Sequence, residues 1–185
     1  MIRSLEEYIE KYIIGMSRKG IPIPGEHHFV SVYLIPKIHA ITGLVPEYVN
    51  PDGTKNITGD LIYSDGSVCF EVKYKYLRFT RTQYYDWIRN ESGKKCPNYL
   101  IGLSGKGLLV QEWDGFVNCF SSSIWERDKI DFRFHDVDNY SPSISIDKYV
   151  SRPENNIRQD EYFSITDNKE QLLEAKLVEI FKTPV

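Results

Sequence analysis

The chain has 185 residues, 41% hydrophobic and 26% charged, with a net charge of −3. That length supplies one sizeable core and falls short of two full domains, and the composition excludes a disordered or fibrous chain. No apolar run approaches the roughly 20 residues of a membrane span, the first dozen residues lack a signal-peptide apolar segment, and net acidity argues against general coating of nucleic acid.

In chain order, Ser4-Leu-Glu-Glu7 is a capping box, and Leu5, Tyr8, Ile9, Tyr12, Ile13 and Met16 recur at helical spacing. This predicts a first helix ending before Gly20, followed by a stiff connector, Ile21-Pro-Ile-Pro-Gly25. A second helix is expected from Glu26, with Phe29, Val30, Tyr33 and Leu34 on one side, a kink or split at Pro36, and a stop at Gly43. Glu47 to Asn50 reads as a short strand before the turn Pro51-Asp52-Gly53. A hairpin spans Ile57 to Tyr76. Thr80 to Asn90 suits a helix with a threonine cap and Gly93 as its stop, and Tyr99–Ser104 and Leu108–Trp113 read as strands around Gly105-Lys-Gly107.

Beyond residue 114 the pattern weakens. Ser121-Ser-Ser123 and the stretch from Asp136 to Asn156 look loop-rich, with short strands at Phe132–Phe134 and Ile144–Ile146. A second capping box, Asp167-Asn-Lys-Glu170, is expected to open a last helix carrying Leu172, Leu173, Leu177, Ile180 and Phe181. The sequence thus describes one domain over 1–185, with a core at about 25–113 and a C-terminal elaboration over 114–185 that ends in a helix. Its order of helix, strand, hairpin, helix and strand gives an α/β (α+β) layer with a central mixed sheet flanked by helices. The three cysteines, Cys69, Cys96 and Cys119, are too scattered for a disulfide framework or a zinc ribbon, and a reducing cytoplasm fits them best.

The hairpin raises a question about charge. Asp65-Gly66 suits a two-residue turn, which makes partner residues sum to 131. One face then carries Tyr63, Val68, Leu61, Phe70, Gly59 and Val72 and reads as core; the other carries Ile62, Cys69, Asp60, Glu71, Thr58 and Lys73. Asp60 and Glu71 stand directly opposite, and like charges so placed repel. A divalent cation or Lys73 offsets that repulsion. Hard cations such as Mg²⁺ take one or two carboxylates, waters and phosphate oxygens. Asp60 and Glu71 supply the carboxylates, the backbone carbonyl of Val72 a third oxygen, and Lys73, on the same face, an amine able to orient a water or oppose charge on a phosphate. Carboxylates, a metal and one lysine suffice for phosphodiester hydrolysis.

Gly59-Asp60, ten further residues, then Glu71-Val-Lys73 resembles the motif of the PD-(D/E)XK nuclease superfamily, the restriction-endonuclease-like group. The resemblance implies an α-β-β-β-α-β core with the acidic pair and lysine on its second and third strands, and residues from about 25 to 104 supply that order. It also implies a supporting glutamate on the helix before the sheet, where Gly25-Glu26 stands. A glutamine or tyrosine on the following helix sometimes assists, and Gln83 or Tyr84 would be the equivalents here. Gly59 occupies the position of the motif's proline, and residues 114–185 match nothing in it. The activity implied by the resemblance is that of a Mg²⁺-dependent endonuclease (Mn²⁺ substituting) that leaves 5′-phosphates. Asp60, Glu71, the Val72 carbonyl and Glu26 would hold the metal, and Lys73 would position the water. DNA is the expected partner, and many members act as homodimers.

From Val72 to Lys95 seven basic residues face two acids, a basic stretch on an acidic chain. Lys75, Arg78, Arg81, Gln83, Lys94 and Lys95 are the expected nucleic-acid contacts. Plainer readings stand beside each of these. Acid-x-Lys triplets recur at Asp167-Asn-Lys169 and Glu174-Ala-Lys176, where they read as capping and surface charge. A strand-face salt bridge would account for Glu71 and Lys73, an acid in a first helical turn suits the dipole, and His27 and His28 lack a third ligand at metal spacing. A non-catalytic nucleic-acid- or protein-binding module on the same fold is the alternative, as is an unrelated domain acting through residues 114–185.

Overall fold

The computed structural model describes residues 2–46, 61–62, 68–90, 93, 96–128 and 143–181, with residues 61, 62, 81 and 122–128 described by their backbone alone. Within them the chain is a mixed α/β domain in three layers. Its central sheet has the strand order β1-β2-β4-β5-β7, from β1 (Leu61–Ile62), β2 (Cys69–Tyr74), β4 (Tyr99–Leu103), β5 (Gly107–Glu112) and β7 (Tyr162–Ser164). Only β2 and β4 run parallel among the adjacent pairs; the other three are antiparallel. A two-stranded ribbon, β3 (Tyr76–Arg78) with β6 (Ser143–Ser145), stands apart from the sheet.

Alternation along the strands sorts side chains into two cores. Phe70, Val72, Ile101, Leu103, Leu108, Val110 and Phe163 face the layer formed by the N-terminal helix (residues 5–18), the second helix (residues 26–42) and the C-terminal helix Glu170–Ile180. Leu100, Leu109 and Tyr162 face the other layer, made by the crossover helix (residues 81–88), the helix Trp113–Asp128 and the short helix Ile146–Ser151. The hairpin face that carries Cys69 and Glu71 therefore lies beneath this second core. Both residues are buried.

Several helices differ from the sequence reading for local reasons. The second helix runs through Pro36 to Thr42 without splitting. A π-helical stretch, Val30–Leu34, precedes the proline, and the Ile35 N–H donates to the Val30 carbonyl five residues back. That wider turn absorbs the donor Pro36 lacks. Ser121–Ser123 is not a loop but lies within the helix Trp113–Asp128. Weak intrinsic propensity at Gly115 and the serines is overridden by Trp113, Phe116 and Phe120, all buried on one side. Between Asp136 and Asn156, the short strand expected at Ile144–Ile146 is found one residue earlier as β6, and the helix Ile146–Ser151 follows where loop was expected. The expected elements at Glu47–Asn50, Pro51–Gly53, Asp65-Gly66 and Phe132–Phe134 lie outside the described residues.

Glu170 departs furthest. Its helix has Lys169 at the N-cap with no side-chain cap, so the expected capping box is not formed. Its carboxylate instead accepts from the Leu5 N–H at 2.9 Å and the Tyr33 hydroxyl at 2.8 Å, and pairs with Lys37 at 3.0 Å. One carboxylate thus caps the first helix and joins three helices. At Ser4 half of the box survives, since the hydroxyl accepts from the Glu7 N–H while the Glu7 carboxylate turns to the Arg3 N–H. No helix among the described residues is long and apolar enough to cross a membrane.

Glu170→Ala should lower stability by about 2–3 kcal/mol, because the buried Tyr33 hydroxyl and the Leu5 N–H lose their acceptor; a shift in urea midpoint at constant m measures it. A loss within about 0.5 kcal/mol, the usual range for surface changes, would deny the staple. Burial, chiefly, raises the phenols of Tyr8, Tyr33 and Tyr149 well above the ordinary value of 10.0. The fold keeps protons there that the unfolded chain releases, so this contribution is complete below pH 10 and declines above it. Stability should fall above that pH by up to about 1.4 kcal/mol per pH unit for each tyrosine, as followed by alkaline denaturation of Tyr→Phe variants.

Candidate functional site

The described residues of β1 pair with β2 as Leu61↔Phe70 and Ile62↔Cys69, the register the turn chemistry implies. Asp60, the acid expected next in that register, lies outside the described residues, as do Lys94 and Lys95. Glu71 and Lys73 are brought together. Lys73 Nζ stands 2.9 Å from Glu71 Oε1, with side-chain exposures of 14% and 3%. This is the salt bridge of the plainer reading, though not on a solvated face, because one partner is withdrawn almost wholly from water.

The surroundings hold the pair in place. β2 is an interior strand, with β1 on one side and β4 on the other, so two ladders fix its backbone. Glu71 stands beside Leu100, and Lys73 beside Gly102. A Cβ at Gly102 would come within 3.1 Å of Ile146 Cδ1, so the bare glycine lets Ile146 seat on the sheet next to Lys73. On its other side the Lys73 ammonium lies over the ring of Phe79, 4.6 Å from the centroid. Phe79 is itself buried among Trp113, Phe116 and Phe120, with ring centroids 6.0, 5.8 and 5.3 Å away. A cation set between a carboxylate and an aromatic face gains both as partners in place of most of its water. Gly102 carries no sequence signal for this site, and Phe79, one of the aromatics interleaved with the basic residues after Lys73, signals no contact with Lys73; only the fold brings the two to the pair.

Glu26 opens the second helix after extended Gly25, and its turn packs on β2. It is half-buried and has interactions of its own. Among the described residues no three of His, Cys, Asp and Glu gather closely enough to hold a metal ion, so Glu26 and Glu71 with a third ligand from this set are not assembled there. His28 has a structural partner, with Nδ1 2.8 Å from the Tyr8 hydroxyl. Gln83 serves its own helix. Its Oε1 accepts from the Thr80 N–H at 3.1 Å while the Thr80 hydroxyl accepts from the Gln83 N–H at 3.2 Å, a reciprocal capping box. Tyr84 is buried in the second core. Lys75 and Arg78 are exposed, and Arg81 lies in the first turn of the crossover helix.

No protein-family model, curated protein or solved structure matches this chain. The resemblance to the nuclease superfamily therefore rests on residues of this chain alone.

The pair's chemistry has a direct measure. In a cycle of Glu71→Gln, Lys73→Met and the double variant, we expect a coupling energy of about 1–3 kcal/mol from urea unfolding, the range for contacting residues in one network. Coupling near zero would return the pair to ordinary surface charge.

Proposed function

We propose that the chain is a divalent-metal-dependent endonuclease that hydrolyses phosphodiester bonds in DNA, on a restriction-endonuclease-like α-β-β-β-α-β core. The observation that carries this reading is a carboxylate withdrawn from water on an interior strand, with an ammonium 2.9 Å away and the β1–β2 register expected from the sequence followed by both described pairs. The pairing count made from the sequence expects Asp60 opposite Glu71, and Asp60 itself lies outside the described residues. Two carboxylates and one ammonium leave a net negative charge in a site of low dielectric, where an unbalanced charge is costly. A hard cation balances it.

The donor set suits Mg²⁺, with Mn²⁺ as a substitute. Carboxylate oxygens from Asp60 and Glu71 and the carbonyl of Val72 are the oxygen ligands such ions take, and Glu26 supports the ion or its waters. The ion, when bound, supplies Lewis-acid polarisation of the phosphate. The remaining steps belong to the chain. Lys73 Nζ orients the attacking water along the line of the scissile bond and faces the charge that develops on the phosphate oxygens. Glu71 holds the amine in place before substrate arrives. Phe79 keeps the amine from swinging away. Water then adds to phosphorus and gives up a proton to solvent, the P–O3′ bond breaks with its electron pair going to the 3′-oxygen, which takes a proton and leaves as a 3′-hydroxyl, and a 5′-phosphate remains. Cutting both strands of a duplex calls for a second copy of the chain or a second encounter.

The test is a cleavage panel of linear, supercoiled, branched and single-stranded DNA, with RNA alongside. Parent protein should cut with Mg²⁺ and not with EDTA. Lys73→Ala should lose about 10²–10⁴-fold in rate, the range for a positioned proton-handling group, and Asp60→Asn should be at least as impaired. A parent that neither cleaves any substrate nor binds Mg²⁺ by calorimetry ends the reading. One that binds nucleic acid and never cleaves it assigns the non-catalytic module instead.

A further inference from the structure

The ribbon of β3 and β6 has a role that the acid-lysine site does not explain. At Lys75 the chain leaves β2 and changes sheets within a single residue. Lys75 adopts φ 66°, left-handed backbone that a non-glycine residue enters at a cost. Both its backbone groups are pinned, the N–H donating to the Leu103 carbonyl at 2.8 Å and the carbonyl accepting from the Ile146 N–H at 3.0 Å. Directly after β3 comes Phe79, whose ring lies under Lys73. The ribbon is therefore bracketed by the site, joined two residues after Lys73 at one end and touching its amine at the other.

Its two faces differ. Leu77 and Ile144 point inward and are buried. Tyr76 and Arg78 point outward and are exposed, with Ser143 and Ser145 opposite them in the register. Lys75 is exposed, its ammonium 5.6 Å from the Tyr76 ring centroid, and Lys148 is exposed in the helical turn that Ser145 caps. Among the described residues no acid pairs with Lys75, Arg78 or Lys148. Asp147, the acid next to Lys148, has its Oδ1 buried.

The geometry points to this outward face, joined to the strand of Glu71 and Lys73 through Lys75, as a surface that holds duplex DNA, with β6 lending half of it. The inference rests on the phosphodiester reading for its choice of partner. These three cations match a polyphosphate in charge. Serine and tyrosine hydroxyls are common donors to phosphate oxygens. The major groove of B-form DNA admits a two-stranded β-ribbon, whereas that of A-form RNA is too narrow for protein side chains to read. The pinned crossover at Lys75 then fixes the ribbon, and the duplex it holds, relative to β2. Residues after 142 thereby gain a function in the same event as the motif.

A fluorescein-labelled DNA duplex titrated by anisotropy in EDTA reads binding without cleavage. The triple variant Lys75→Gly/Arg78→Ala/Lys148→Ala removes the three cations, and its glycine relieves the left-handed backbone, so folding is preserved and a thermal melt checks it. We expect the slope of log K against log salt to become shallower by about 2–3 and the affinity at about 100 mM salt to fall at least about tenfold. A control, Lys11→Ala/Arg18→Ala/Lys19→Ala, loses the same charge from the N-terminal helix and its C-cap and should bind within twofold of parent. Equal weakening by the control overturns the inference, as does a triple variant with parental affinity and slope, a parent that does not bind, or preferential displacement by duplex RNA. If the ribbon variant loses binding while the parent, supplied with Mg²⁺, never cleaves, the ribbon assignment stands and the catalytic reading falls.

Discussion

Everything around the site depends on the alternation of one interior strand. β2 sends Phe70 and Val72 into one core and Cys69, Glu71 and Lys73 toward the other. A sheet covered on both faces normally asks for apolar residues at every position. Two charges at 71 and 73 therefore oppose the architecture, and they persist because each compensates the other's loss of water. Phe79 and Gly102 complete the accommodation, one offering a ring to the ammonium and the other making room for Ile146. Removing Glu71 would leave the Lys73 ammonium against the Phe79 ring without its carboxylate, so the amine is held as much by the acid as by the ring.

Glu170 shows the same economy in the opposite layer. It neutralises half-buried Lys37, accepts from a tyrosine and caps a helix to which it is unrelated in sequence. Lys37 also reaches Glu174 at 2.7 Å. Burial works to lower this ammonium's pKa, but the hydrogen bonds and charges of the two glutamates outweigh it and hold it above the ordinary value. Helices drawn from the two ends of the chain are thus locked onto the second helix, which in turn rests its first turn on β2.

How much could be read in advance tracks the range of the interactions involved. The hairpin register was legible because two-residue turn chemistry dictates pairing by counting, and Leu61↔Phe70 and Ile62↔Cys69 obey it. The Thr80 cap, the left-handed stop at Gly43 and the strands flanking residues 104–106 were legible for similar local reasons. Glu71 and Lys73 could be placed side by side since strand alternation alone requires it. The helix Trp113–Asp128 was not legible, because its serines and glycine speak against a helix and only packing of Trp113, Phe116 and Phe120 on the sheet selects one. Glu170 misled for the complementary reason. Its local pattern fitted a capping box, but three partners distant in sequence offered more. Phe79 could be read only as one aromatic among several in a basic stretch, and its contact with Lys73 exists only once the chain folds it there.

The single-residue crossover at Lys75 has a mechanical consequence. A loop between two sheets would act as a spring, letting one surface tilt without disturbing the other. Here the junction is one residue long, bent into an unfavourable conformation and fastened on both sides to β4 and the helix Ile146–Ser151. It behaves as a welded bracket. Any force on the ribbon is transmitted to β2 and its charged pair without slack, and any lengthening of that joint would change the angle at which the two halves of the molecule meet.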